Sequence, residues 1–196
     1  NHSTGEWTPD GEELLFSSLR TADAELAWRQ SEVYAVNVMS GSIRQLTTRN
    51  GQDYSPLPSP TGDLIAYRGS DWHDDTYRNA GIYVMGRDGS NPRLISGGFD
   101  RSINGMQWAH DGRGLYLTVS SEGTRNLHFA SVTGGVEAIS EGEHMLALSS
   151  FTADGRAVGT FTSPHVPTDI VAFDLDDADR KSTRLNSSHL VISYAV

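Results

Sequence analysis

Trp108-Ala109-His110-Asp111-Gly112-Arg113-Gly114-Leu115-Tyr116-Leu117-Thr118 is the stretch on which the fold reading rests. An aromatic residue leads into Asp111-Gly112, and a mainly apolar strand leaves it. Asp-Gly between two apolar runs marks a tight hairpin, because the turn needs a positive φ that glycine reaches without a Cβ clash. The same phrase recurs as Trp7-Thr8-Pro9-Asp10-Gly11, Pro58-Ser59-Pro60-Thr61-Gly62 and Phe151-Thr152-Ala153-Asp154-Gly155. Its glycines lie 51, 50 and 43 residues apart.

Each turn is followed by an alternating run, at 13–17, 64–68, 114–118 and 157–161. A second strand phrase follows at 32–37, 81–85, 126–130 and 169–173, and a short closing strand at 43–47, 92–95 and 136–140. Helical periodicity of useful length is missing. Four short strands at a period of about 40 to 50 residues are the pattern of propeller blades. A β-sandwich also has many short strands, but it does not require the same turn at the same place in every unit. The expected fold is therefore all-β: a partial β-propeller of about four blades, each a four-stranded antiparallel sheet. Trp7, Trp108 and Phe151 are expected to pack between neighbouring blades.

The 196 residues are 37% hydrophobic, enough for one ordinary core. No apolar run approaches the roughly 20 residues that span a bilayer as a helix. The net charge of −10 argues against nucleic acid or an anionic membrane as partner, since both demand a basic footprint. With no cysteine, thiol chemistry and Cys-based zinc sites are excluded, and the compartment stays open between cytoplasm and periplasm.

The C-terminal composition breaks at Asp179, and Lys181 is the only lysine. Residues 179–196 resemble the in-frame translation of a DNA-sequencing adapter, so they are expected to be a non-native tail on a partial propeller spanning 1–178. Without them the charge is −12.

The Trp-x-Pro-Asp-Gly phrase and the later Ile82-Tyr83-Val84-Met85 leading to Asp88-Gly89 resemble the repeats of TolB-like propellers. The stretch 81–95, and Asp100-Arg101-Ser102 leading into Trp108, resemble more narrowly the N-terminal propeller of the prolyl oligopeptidase family of serine peptidases, in its acylaminoacyl-peptidase and dipeptidyl-peptidase branch. Departures are Thr61 in place of Asp, and His110 and Ala153 in place of Pro. The resemblance implies a parent enzyme in which a propeller gates an α/β-hydrolase domain carrying a Ser-Asp-His triad, with short peptides as substrates. That hydrolase domain would be the partner. Gly-x-Ser-x-Gly, the turn that exposes the nucleophile, does not occur in these 196 residues. The chain itself is expected to be non-catalytic and without a cofactor. A TolB-like protein-binding propeller with no enzyme attached, or the propeller of an amidohydrolase fusion, would show the same repeats.

The densest polar cluster is Trp72, His73, Asp74, Asp75, Tyr77 and Arg78, in the long connection between Tyr67 and Ile82. It matches no EF-hand or His-x-x-x-His spacing, so no metal is assigned. Long loops on a rigid scaffold favour function, which makes these six residues the candidate substrate or docking loop. The plain alternative is a solvated connection with Trp72 or Tyr77 folded back on the blade. Ala22 to Trp28 reads as a short helix-compatible insert. Ser163, His165 and Asp169 sit in a Pro-flanked turn with no oxyanion signal and are rejected as a triad. His110 is expected to be exposed and His128 to pack.

Overall fold

The computed structural model describes residues 5–20, 29–74, 78–152 and 155–175. Every element among them is a strand. The chain divides into two compact units, residues 1–100 with 131–135, and residues 101–130 with 136–196.

The first unit holds two antiparallel four-stranded meanders. One runs β1 (Glu6–Trp7), β2 (Glu13–Ser18), β3 (Glu32–Asn37), β4 (Ile43–Gln45), and the other β5 (Gly51–Pro58), β6 (Leu64–Asp71), β7 (Gly81–Gly86), β8 (Arg93–Leu94). Between them lies a core of Leu15, Val33, Ala35, Leu46, Ile65, Tyr67 and Met85, all at most 8% exposed. Each fully buried aliphatic side chain there contributes about 1.5–3 kcal/mol.

The second unit holds β9 (Ser102–Trp108), β10 (Gly114–Ser121), β11 (Thr124–Ser131), β12 (Val136–Ala138), β13 (Met145–Phe151), β14 (Arg156–Ser163) and β15 (Val166–Asp174). Strands β9–β12 form a third meander. A single parallel pair, Arg125 with Met145, joins it to β13–β15 in one seven-stranded sheet. Arg125 N–H donates to the His144 carbonyl at 2.8 Å there. The core is built on Tyr116, Leu127, Phe129, Leu146, Ala157 and Val171. Strand β14 alternates as a half-covered strand should, whereas the first six residues of β10 are buried on both faces.

The glycines that end the four turn phrases share one geometry. Gly11, Gly62, Gly112 and Gly155 have φ of 71°, 78°, 72° and 79°. Each glycine N–H donates to the carbonyl three residues back, on Thr8, Ser59, Ala109 and Thr152. Thr61 is not a defect in this pattern. In the first copy Thr8 Oγ1 and the Glu12 N–H bind Asp10. In the second the carboxylate has moved to Asp63, which takes bonds from Ser59 and Thr61 and is held below the usual carboxylate range chiefly by Thr61.

Of the aromatics before the turn, Trp108 is buried, at 3% exposed, whereas Trp7 is not packed away, at 57% exposed. Register explains the difference. Trp7 pairs with Leu14, and so lies on the opposite face from Leu15, which fills the core. Trp108 pairs with Leu115, on a strand covered on both faces.

The first two sheets are also tied by charge. Arg87 donates Nη1 to Asp10 and Nε to Glu13 at 3.0 Å, and Arg44 donates Nη2 to the other Glu13 oxygen at 2.8 Å. The Arg87 hydrogen bond holds Asp10 well below the usual carboxylate range. Burial opposes ionisation of Glu13, but Arg44 and Arg87 outweigh it and lower that group too.

Three substitutions test these contacts. At Gly11 an added Cβ meets nothing within 4 Å but φ is positive, so Gly11→Ala is expected to cost about 1 kcal/mol. At Gly114 a Cβ would lie 2.3 Å from the Ala130 carbonyl oxygen and 2.4 Å from the Phe129 ring, so Gly114→Ala is expected to cost about 2–3 kcal/mol in urea unfolding. The carboxylates on Arg87 have folded pKa values below their unfolded ones. Their stabilisation is therefore complete above the unfolded values and is lost as pH falls through the folded ones. Arg87→Met is expected to lower Tm by about 2–4 °C at pH 7. The deficit should shrink as pH falls below the ordinary carboxylate range and vanish only once Asp10 and Glu13 are protonated in the folded chain.

Candidate functional site

Strand β6 runs to Asp71 and β7 resumes at Gly81, so the polar connection is shorter than its composition suggests. Arg49 anchors its first end. The guanidinium donates Nε to Asp53 at 2.9 Å and Nη1 to Asp71 at 2.7 Å and to Tyr83 Oη at 3.1 Å, and lies 4.1 Å over the Tyr83 ring. Asp53 is 1% exposed, Arg49 17% and Asp71 65%, so this bridge runs from core to surface. Gly69 makes the room, since a Cβ there would sit 2.5 Å from Asp53 Oδ1.

Burial works against the charge of Arg49, but its bonds to Asp71 and Asp53 prevail and strengthen its hold on the proton. Burial pushes Asp53 up even with Arg49 beside it. Burial, with the Asp53 charge second, pushes Tyr67 up to about 12. Next to this group Glu32 accepts a short bond from Thr47 Oγ1 and is likewise pushed up by burial.

Above the Arg49 bridge is a cavity of about 250 Å³. Tyr83, Phe99 and Leu94 supply its apolar wall, and Asp71, His73, Arg78, Asn79 and Asp100 its polar rim. Arg78 Nη1 lies 3.1 Å from His73 Nε2, and Asn79 Nδ2 donates to Asp100 Oδ1 at 2.8 Å. Of the six loop residues singled out in the sequence, His73 and Arg78 line the cavity. Trp72 is 40% exposed, with the Arg29 guanidinium 5.9 Å from its ring centroid. Asp74 is exposed outside the cavity lining. Asp75, Tyr77 and the insert at 22–28 lie outside the described residues, as does the tail at 179–196.

The residues that organise the site, Arg49, Asp53 and Tyr83, are not in the loop at all. One signal for them was present: Asp53 occupies a buried phase of β5, whose pattern buries Gly51 and Asp53 but leaves Gln52 and Tyr54 half-covered. A carboxylate in that phase demands a cation. Among the described residues no group of three or more His, Asp and Glu is placed to hold a metal ion. Ser163 and Asp169 fall on opposite arms of the β14–β15 hairpin, and Asp169 Oδ1 accepts the Ile170 N–H at 2.8 Å. His110 is exposed, and His128 is half-buried with its pKa lowered by burial.

Removing Arg49 leaves Asp53 buried without its cation. Arg49→Met is expected to cost about 3 kcal/mol in urea unfolding, with Asp53→Asn in that background restoring part of it. Strictly additive losses in the double variant would show that the pair is not coupled.

No family model matches the chain. It is 27% identical over 144 residues to dipeptidyl-peptidase 5 of Porphyromonas gingivalis, a match covering 70% of this chain and 21% of that protein. The chain thus spans about a fifth of the length of this relative. Among solved structures it superposes on acylaminoacyl peptidase of Pyrococcus horikoshii with a TM-score of 0.68 at 20% identity, over 88% of this chain and 26% of the other. The β-propeller domain of the trilobed protease from Pyrococcus furiosus gives 0.68 at 17% identity, over 88% of this chain and 52% of the other. TolB of Acinetobacter baumannii gives 0.65 at 17% identity, over 90% and 42%. These identities speak to fold. The chain is an all-β, partial β-propeller, like the propellers of these peptidases and TolB, and its sequence likeness runs to a dipeptidyl-peptidase.

Proposed function

We propose that this propeller is the non-catalytic, substrate-gating part of a serine peptidase of the prolyl oligopeptidase type, whose parent chain hydrolyses short peptides or acyl-peptides on an attached α/β-hydrolase domain. The observation that carries the reading is the 144-residue likeness to a dipeptidyl-peptidase. The cavity at the end of β6 adds to it. It sets Asp71 and Asp100 beside His73 and Arg78 on a wall of Tyr83 and Phe99. Groups of both signs next to aromatic surface suit a short peptide, which carries an amine, a carboxylate and apolar side chains.

The parent reading frame, expressed without interruption, tests this. It is expected to cleave dipeptidyl or N-acyl-aminoacyl anilides, and Arg78→Ala is expected to raise KM about threefold to tenfold with kcat little changed. A parent inert toward every such amide would overturn the reading. A second reading, a TolB-like binding propeller with no enzyme attached, draws on the TolB superposition over 90% of the chain. A stop codon soon after the last blade would favour it.

A further inference from the structure

The second unit contains a cavity of about 400 Å³ between the β10–β11 turn, the segment before β13 and the β14–β15 turn. Its polar lining is biased toward one role. Glu122 and Glu143 bring exposed carboxylates, which only accept. Thr124 donates its hydroxyl proton to the Ser121 carbonyl at 2.7 Å, and Thr162 donates its own to the Val166 carbonyl at 3.1 Å. Both hydroxyl oxygens therefore keep only acceptor capacity.

His144 is 7% exposed and is part of the lining. Its tautomer follows from its neighbours. Ser140 Oγ accepts the Leu127 N–H at 2.8 Å and donates to Asn126 Oδ1 at 3.3 Å. All three contacts are satisfied at once when Ser140 Oγ also accepts from His144 Nε2, 3.2 Å away. A neutral ring donating from Nε2 leaves a lone pair on Nδ1, for which the structure shows no hydrogen-bond partner among the described residues. Burial lowers the His144 pKa and so favours the neutral ring. The Phe161 ring, 5.1 Å away, packs against it.

Two carboxylates, two hydroxyl oxygens with spent protons (Thr124 Oγ1 also accepting from Asn126 Nδ2 at 3.1 Å), the Ser163 hydroxyl and one bare imidazole nitrogen form a site without a cation of its own. No Arg or Lys is in the lining. Such a site repels anions and is satisfied by a ligand that carries donors and positive charge. Met145, 37% exposed, and Pro164 add apolar surface for a hydrocarbon stem. A metal ion does not fit, since no three His, Asp and Glu groups converge among the described residues. We infer that this cavity, built on Glu122, Glu143 and His144, binds an alkyl-linked organic cation: the protonated amine of a lysine side chain or of a free polyamine. This inference does not rest on the proposed gating function.

The test is calorimetric titration of the full chain with three probes of similar length: N-acetyl-lysine methylamide, cadaverine and the neutral N-acetyl-norleucine methylamide. The expected result is saturable binding of at least one cation and about tenfold or more weaker binding of the neutral probe. Glu122→Gln with Glu143→Gln is expected to weaken the cation about tenfold with an unchanged near-UV CD spectrum. The His144 Nδ1 resonance is expected to shift on titration of the unsubstituted chain, which decides the matter if the double variant misfolds. Binding of the lysine amide would assign a peptide side chain, and binding of cadaverine alone a free polyamine. Equal affinity for the neutral probe, an unmoved Nδ1 resonance, or no saturable binding of either cation would overturn the inference.

Discussion

A buried backbone N–H must find an acceptor, and in this chain a side-chain hydroxyl supplies it once in each of the three four-stranded meanders. The closing strands β4, β8 and β12 are only two or three residues long, so pairing along them leaves the start of the preceding strand unmet. Val33, Ile82 and Leu127 are each fully buried there. Their N–H groups donate to Thr47 Oγ1, Ser96 Oγ and Ser140 Oγ at 2.9, 3.0 and 2.8 Å. The residue before each hydroxyl, Leu46, Ile95 or Ile139, returns its own N–H to the carbonyl of the same strand residue. One short Leu/Ile-Thr/Ser phrase thereby ends the blade and seals its core. An unmet buried amide would cost about 1–3 kcal/mol at each of the three places.

The order of the blades was legible because glycine left marks that side-chain chemistry cannot imitate. Gly11, Gly62, Gly112 and Gly155 all take the left-handed backbone that the Asp-Gly pattern implied. The strand at 32–37 came out at those bounds. What sequence pattern could not settle was which face of a strand another sheet covers. Trp7 and Trp108 occupy the same place in the repeat, yet register and coverage leave one exposed and the other buried. The closing phrases show the same limit. Residues 43–47 and 136–140 read as strands throughout, but the ladder stops at Gln45 and Ala138 because the following residues turn their bonds to Val33 and Leu127.

The candidate site was half legible for a related reason. His73 and Arg78 stood out as a dense polar run, and both line the first cavity. Arg49 and Asp53 carry the energetics but are single charges in unremarkable surroundings, and only the phase of β5 reveals that Asp53 points inward. A polar loop advertises itself by composition. A buried ion pair advertises itself only once burial is known.

The repeated hydroxyl also explains why the unusual chemistry falls where it does. Because the hydroxyl is fixed by the amide it serves, residues beside it can vary without opening the blade. At Thr47 its proton goes to Glu32, which lies next to the Arg49 and Asp53 pair. At Ser140 the proton goes to Asn126, and that leaves His144 Nε2 as donor and Nδ1 free to accept. At Ser96 the adjoining Gly97 and Gly98 bring no side chain and instead form part of the wall of the first cavity. The same structural bond therefore sits under a buried carboxylate, a neutral imidazole and a glycine-lined wall. Function in such a repeat is written in the neighbours of an invariant bond, and a search for sites can begin from the residues flanking Thr47, Ser96 and Ser140.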